Sequence, residues 1–404
     1  MIFPEDLEAF RTAVRDWLRA NTPPDIGSAD HPDRGILVWG GRNARFRDPD
    51  AEAWFRGVTE RGWATPTWAV EYGGAGLDPA RARALRQELA EVGGTRLLRN
   101  FGTLMIGPLI MANGTEEQKR RHLQAISRGR ARWCLGFSEP NAGSDLASLQ
   151  CRAERDGGHY VVTGEKLWNS YAHQSDYMEL LVRTDRSVPK HQGISVLLVD
   201  LASPGVRVSP IELISGKSQF CSTVFESVRV PDTERLGAEN DGWRIVQEGL
   251  RYEREAVVAM TVSDAGFTGK RRASLVEIAR LAYGIPEGPL PDDVAAAIAA
   301  VEIEQLAFRA SERRAKDAAK LKQPVPHPSV FKFIGARVTQ RRREIEMSLR
   351  GSPGTVWESA NEQPGEDERA AREWLRTYGL SIEGGTSEIQ LNVITKRVLG
   401  MAGS

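Results

Sequence analysis

The sequence predicts an α+β fold, because its periodicity changes twice along the chain. Apolar residues recur at helical spacing over the first part and again beyond Gly242. Between these parts lie short runs of Val, Leu, Tyr and Phe, separated by Gly, Pro and Asp turns as in strands. The chain has 404 residues, too many for one ordinary core. We therefore expect a helical domain at residues 1–130, a β-domain at 131–233 and a helical domain at 234–404.

The first helical region begins with an amphipathic segment. Its apolar stripe consists of Leu7, Phe10, Val14, Trp17 and Leu18. A connection rich in Trp, Pro and Gly, at residues 62–77, separates a second element from two further helical patterns. Thr115 is followed by two glutamates, which is typical of a helix N-cap with acidic residues in the first turn.

The β-region and the second helical region follow in order. Four clear strand patterns are HYVVTGEK, YMELLVRT, GISVLLVDL and TVFESVRVP. So many short strands in one region predict a small β-barrel or sandwich. The later helical patterns lie near residues 242–264, 271–283, 294–323, 327–350 and 367–378.

Composition argues against several classes of function. The 54 basic and 54 acidic residues balance, so no electrostatic reason exists to expect nucleic-acid or anionic-membrane binding. Cys134, Cys151 and Cys221 lack metal-ligand spacing and the six histidines are scattered, so we expect buried thiols and no metal site. The acidic N-terminus does not resemble a signal peptide, and no apolar run could span a bilayer. We expect a cytoplasmic protein.

Two segments in the β-region contain the candidate ligand-binding residues. FSEPNAGSDL is a polar loop with hydroxyls at Ser138 and Ser144, and Gly143 lets the backbone approach a ligand closely. GEKLWNS is the turn end of a strand that sets Trp168 beside the hydroxyl of Ser170. Either segment alone fits an ordinary turn or a core tryptophan. The resemblance of both segments together to those of a known family is what favours a cofactor site.

Together these segments resemble the flavin-cradling segments of the acyl-CoA dehydrogenase family. The resemblance implies FAD and a C-terminal four-helix bundle. It also implies that one group of residues lines the flavin pyrimidine ring and pyrophosphate, with the last near the substrate thioester: Phe137, Ser138, Gly143 and Ser144. Trp168 matches a tryptophan packed against the isoalloxazine, and Ser170 matches a hydroxyl residue, more often Thr, that bonds flavin N5.

Further matches lie in the second helical region. Arg280 and Tyr283 resemble an R-x-x-F-G element whose arginine reaches the flavin pyrophosphate of a neighbouring subunit. Thr386 and Glu388, in GGTSEIQ, match positions that approach the nucleotide. The glycine-rich Q-x-x-G-G-x-G element usual upstream is missing. Part of the cofactor or subunit contact is therefore expected to be built differently or to be weaker.

The chemistry that the resemblance implies needs a carboxylate to remove the proton α to a thioester carbonyl. In many relatives this carboxylate directly precedes G-T-S, but that position is Gly384 here. Glu383 is one residue away, and such a shift changes the direction of the side chain. The sequence therefore leaves three possibilities: another base, Glu383, or no base in this subunit.

A helix beyond Gly242 offers the preferred base. Its apolar face at 3,4,3,4,3 spacing contains one acid: Trp243, Val246, Leu250, Glu253, Val257 and Met260. A carboxylate on such a face is costly to bury unless it has a partner or a function. The Tyr-Glu-Arg sequence at 252–254 also resembles the helix segment that carries the base in the isovaleryl- and long-chain-specific branches of the family. Glu253 is therefore our candidate catalytic base, and a glutamate bonded to arginine or backbone is the structural alternative.

These observations together predict a FAD-dependent acyl-CoA dehydrogenase that works as a homodimer or tetramer. The resemblance implies an acyl-CoA substrate, favours a bulky acyl group, and implies an electron-transferring flavoprotein as acceptor. One alternative is a partner subunit that lacks a base in a heterotetramer. Another is an oxygen-using oxidase or monooxygenase on the same scaffold.

Overall fold

The computed structural model describes residues 6–24, 26, 40–46, 48–94, 100–216, 218–261, 273–357 and 364–401. The side chains of residues 251, 253–261 and 320 lie outside that description. The described chain divides into two compact units. The first takes in the residues up to Ile211 with Gln219–Met260, and the second takes in Glu212–Ser218 and the residues from 273 onward.

The first unit begins with helices. They are α1 (Leu7–Asn21), α2 (Pro49–Glu60), α3 (Pro79–Glu91), α4 (Gly107–Asn113), α5 (Glu116–Gln118) and α6 (Gln124–Ser127). Helices α2 and α3 begin alike, with an Asp side chain that accepts backbone N–H groups and a Pro in the first turn. The predicted cap at Thr115 is confirmed, since Thr115 and Gln118 form a reciprocal capping box.

Within the described residues, one eight-stranded sheet follows. Its strands are β1 (Trp133–Gly136), β2 (Arg152–Asp156), β3 (His159–Ser170), β4 (Tyr177–Arg183), β5 (Ile194–Asp200), β6 (Val206–Ile211), β7 (Phe220–Pro231) and β8 (Arg235–Leu236). The order is β6-β7-β3-β2-β4-β5-β8, and β1 pairs with β4 in parallel. Helix α7 (Gly242–Thr261) follows, and its residues up to Met260 belong to the first unit.

The two faces of the sheet bury different cores. Along β5, Val196 and Leu198 join a core with residues of α4, α6 and α7, whereas Leu197 and Val199 join a core made by the strands. Gly249 of α7 allows a close approach to α4, because a Cβ there would lie 2.9 Å from a Leu109 methyl carbon. Helix α7 thereby packs against α4, in the core on one face of the sheet.

The second unit is helical. It contains α8 (Leu275–Tyr283), α9 (Asp292–Lys320), α10 (Pro328–Arg350), α11 (Glu366–Thr377) and α12 (Ser387–Val393). Helix α8 has a Ser274–Glu277 capping box and ends at Gly284 in the left-handed conformation. The α+β class predicted from the sequence is confirmed.

Candidate active site

The loop after β1 is held by a buried ion pair. Lys166 Nζ lies 2.8 Å from Glu139 Oε1 and 3.0 Å from the carbonyl oxygen of Phe137. The Glu139 carboxylate also accepts the backbone N–H groups of Gln150 at 2.6 Å and Cys151 at 2.8 Å. Burial lowers the pKa of Lys166. Both ends of the loop therefore meet at one pair of charges.

Trp168 occupies a β-bulge. The β3–β7 register shifts between Lys166 and Asn169, and Trp168 has a φ of +63°. Its side chain is 52% exposed and its ring meets Phe220 edge-on, with centroids 6.2 Å apart. The bulge thus turns a large flat side chain out of the sheet.

The neighbouring residues fix this bulge to the loop. The backbone N–H of Leu167 donates to the carbonyl of Ser138 at 2.8 Å, and Asn169 Nδ2 donates to the carbonyl of Leu135 at 2.9 Å. Ser170, the last residue of β3, is partly exposed. Segments that lie some twenty residues apart in sequence are therefore joined directly, and Ser138, Trp168 and Ser170 share one region of the first unit.

The tip of the loop is open. Gly143 and Ser144 are exposed, and a Cβ built on Gly143 would meet no atom of the described residues within 4 Å. Lys190 Nζ bonds the Asp145 carboxylate at 2.7 Å. Beyond the tip, Arg183 is buried and donates to the carbonyl of Ala147 at 2.5 Å. Neither a positive φ nor packing against any residue that the structure describes requires glycine at 143, so these residues leave room for a ligand beside it.

Helix α7 carries the position of the candidate base. Ile245, Val246 and Gly249 are buried on the side of α7 that packs against the sheet and α4. Tyr252 is partly buried, and its hydroxyl donates to Glu248 at 3.3 Å. The side chain of Glu253 lies outside the described part of the structure, so its role remains a prediction.

The second unit contains four of the candidate residues: Arg280, Tyr283, Thr386 and Glu388. Arg280 donates to the carbonyls of Pro286 at 2.8 Å and Gly288 at 3.1 Å, while Tyr283 is half exposed. Thr386 caps α12 by accepting the Ile389 N–H at 3.3 Å.

The adjoining Gly-Gly turn has its own anchors. Lys332 Nζ donates to the carbonyls of Leu380 and Gly385, each at 2.8 Å, and burial lowers its pKa. Gly384 has a φ of +64°, in the left-handed region. Glu383 bonds Arg376 at 2.6 Å, which favours a structural role for this acid. Glu388 is exposed, and the hydrogen bond from its own backbone amide lowers its pKa.

Sequence reasoning did not predict two charged residues that hold the loop after β1 against β3, namely Lys166 and Glu139. Lys166 shares its strand parity with the buried residues Tyr160 and Val162, so alternation along β3 predicts that it points inward. A lysine at an inward position requires a partner. The search for such a partner could have led to Glu139, which lies inside the other conspicuous segment.

Comparison with known proteins decides the family. The models of the acyl-CoA dehydrogenase N-terminal, middle and C-terminal domains match residues 4–130, 134–228 and 240–399. The acyl-CoA dehydrogenase IpdE1 of Mycobacterium tuberculosis is 32% identical over 397 residues, which cover 98% of either chain. The chain belongs to the acyl-CoA dehydrogenase family. It is an oxidoreductase that acts on a CH–CH donor.

Two solved structures are similar to this chain over its full length. The solved Tcur3481-Tcur3483 steroid ACAD is 25% identical, covers all of both chains and has a TM-score of 0.70. A chain of the ChsE4-ChsE5 complex from Mycobacterium tuberculosis is 26% identical, also covers all of both chains and has a TM-score of 0.67.

The residues present fit the FAD that this family uses. The half-exposed Trp168 ring offers a flat face for stacking, and the open space around Gly143 admits a ligand beside the backbone. The Ser138 and Ser144 side chains lie on the same loop. Among the described residues, no group of His, Cys, Asp and Glu could hold a metal ion, and no described helix is long and apolar enough to cross a membrane.

Proposed function

We propose that the first unit holds FAD through the loop after β1 and the end of β3. The observation that carries this proposal is the outward, left-handed Trp168, joined to the loop through the Leu167–Ser138 hydrogen bond. Trp168 would stack on the flavin, Ser138 and Ser144 would bond its polar edge, and Ser170 would bond its N5. As the family resemblance implies, Arg280, in the motif that it shares with Tyr283, would reach the flavin pyrophosphate of a neighbouring subunit, and Thr386 and Glu388 would approach the nucleotide.

We propose Glu253 as the base that takes the proton α to the thioester carbonyl. Position 253 lies four residues beyond the buried Gly249 and seven beyond the buried Val246. Helical periodicity therefore places position 253 on the same face of α7 as these two residues. A carboxylate on an apolar face has a raised pKa and accepts protons more readily. Bound FAD supplies the acceptor for the β hydride. The chain's own residues orient the acyl group, exclude water and receive the proton.

A bulky, steroid-like acyl group is the proposed substrate class. The full-length likeness to a protein described as a steroid ACAD supports this choice. We also propose an electron-transferring flavoprotein as acceptor, assembly into a dimer or tetramer, a role in lipid metabolism and a cytoplasmic location.

The test is an anaerobic titration of the purified flavoprotein with acyl-CoAs of linear, branched and steroid type. We expect steroid-type thioesters to bleach the flavin fastest in the wild type. Replacing Glu253 by Gln removes the base and should slow bleaching by about 100-fold or more, as general-base catalysis is typically worth. Glu383→Gln is the matched control and should bleach like wild type. Equal rates for Glu253→Gln and wild type would show that the base lies elsewhere.

A second candidate is a subunit that works only beside a related partner. Gly384 stands where many relatives have their base, and two similar solved structures are described as two-component assemblies. The chain purified alone would then be colourless, unstable or unreactive towards acyl-CoA, and adding a related subunit would restore bleaching. A stable yellow homo-oligomer that acyl-CoA bleaches would exclude this candidate.

A further inference from the structure

Lys166 and Glu139 form an unusually enclosed ion pair. The Lys166 side chain is 0% exposed and that of Glu139 is 7% exposed, and their nearest atoms are 2.8 Å apart. Removing two charges from water is expensive, and a well-packed apolar pair is often as stable. Stability alone therefore gives a weak reason for this pair.

The pair connects the backbone segments on either side of the proposed FAD site. Lys166 bonds the carbonyl before Ser138, while Glu139 bonds the N–H groups of Gln150 and Cys151. Lys166 also lies two residues before Trp168, at the start of the register shift that turns this side chain outward. The pair thus ties the start and the end of the loop to the strand that carries the exposed indole.

We infer that Lys166 and Glu139 are positioning residues that set the distance between the loop hydroxyls and Trp168, and thereby the affinity for FAD. They act from beneath the site and do not touch the cofactor. This inference rests on the proposed role of the loop in holding FAD. Loss of either charge leaves the other buried and frees one side of the loop.

The experiment compares Glu139→Gln and Lys166→Met with a matched control, Glu88→Gln. Glu88 is also a buried carboxylate of the first unit bonded to an arginine, Arg15, at 2.8 Å, but it lies on α3. Each apo-protein is titrated with FAD, and hydrogen exchange is measured at the amides of Gln150, Cys151 and Leu167. We expect both test variants to raise the FAD dissociation constant at least about tenfold and to speed local exchange. The control should lose thermal stability while keeping both properties.

The double variant Lys166→Met/Glu139→Gln tests whether the two charges affect FAD affinity jointly or independently. If the two charges act together, its FAD affinity should equal that of either single variant. Should Lys166→Met fail to fold, Glu139→Gln and the double variant carry the comparison. An FAD affinity of Glu139→Gln within twofold of wild type, or an equal loss in the control, would overturn the inference. Wild type that binds no FAD would instead overturn the proposed function.

Discussion

At the scale of single residues, Trp168 combines two features that a core side chain does not need. Its left-handed backbone costs about 1–2 kcal/mol for a residue with a Cβ, and about half of its side chain remains in solvent. A strained backbone conformation of this kind persists only where the surrounding structure holds it, and such conformations are concentrated at binding sites. The position is therefore expected to matter more to a ligand than to the fold.

Replacing Trp168 by Asn tests this expectation, because Asn tolerates the left-handed region better than most other residues that carry a Cβ. The relief of strain should offset the lost contact with Phe220, so the free energy of unfolding of the apo-protein should change by less than about 1 kcal/mol. FAD affinity should nevertheless fall by at least about tenfold. Urea unfolding and flavin titration measure the two quantities. Trp168→Phe keeps a flat ring and should lose less affinity; equal losses would argue against stacking.

At the scale of elements, α1 and α3 are joined by the ion pair of Arg15 and Glu88. The hydrogen bond from Arg15 lowers the pKa of Glu88 below its ordinary value of 4.5. A lowered carboxyl pKa contributes stability above the unfolded-state value, and that stability disappears as the pH falls through the folded-state value. Because Arg15 is 40% exposed, solvent screening reduces this contribution.

Glu88→Gln should therefore lower the free energy of unfolding at pH 7 by about 1–2 kcal/mol, the range of a charged hydrogen bond that is partly screened. The difference from wild type should shrink as the pH falls below 4.5. Thermal unfolding followed between pH 3 and pH 7, about the range over which carboxyl groups titrate, measures it. A constant difference across that range would mean that Glu88 acts through packing.

Periodicity explains why most elements could be predicted. The pattern at 327–350 became α10 (Pro328–Arg350), and that at 367–378 became α11 (Glu366–Thr377), because one apolar face per helix leaves a clear signal. The contacts that hold the candidate site together leave a weaker signal in the sequence. The Lys166–Glu139 pair and the bulge at Trp168 depend on contacts between distant segments, and a pattern within one window does not contain them.

At the scale of the whole molecule, the second unit exposes apolar side chains in neighbouring positions. Ile303 and Leu306 of α9 lie three residues apart and are 64% and 58% exposed. A single exposed Leu is ordinary, but adjacent exposed apolar side chains on a long helix are typical of a surface that packs against a partner. The family resemblance predicts an oligomer, and this part of α9 is a candidate contact.

The variant Ile303→Lys/Leu306→Glu should lower the molar mass of the purified protein in solution. Burying each apolar side chain contributes about 1.5–3 kcal/mol to association, so losing two in every copy should shift the dissociation constant by a factor of about 100 or more. Light scattering on a size-exclusion column measures the mass. Val70→Glu is the matched control, because Val70 is 68% exposed in the first unit and its replacement should leave the mass unchanged. If the double variant keeps the wild-type mass at low concentration, α9 does not form the contact, and the subunits must associate through another surface.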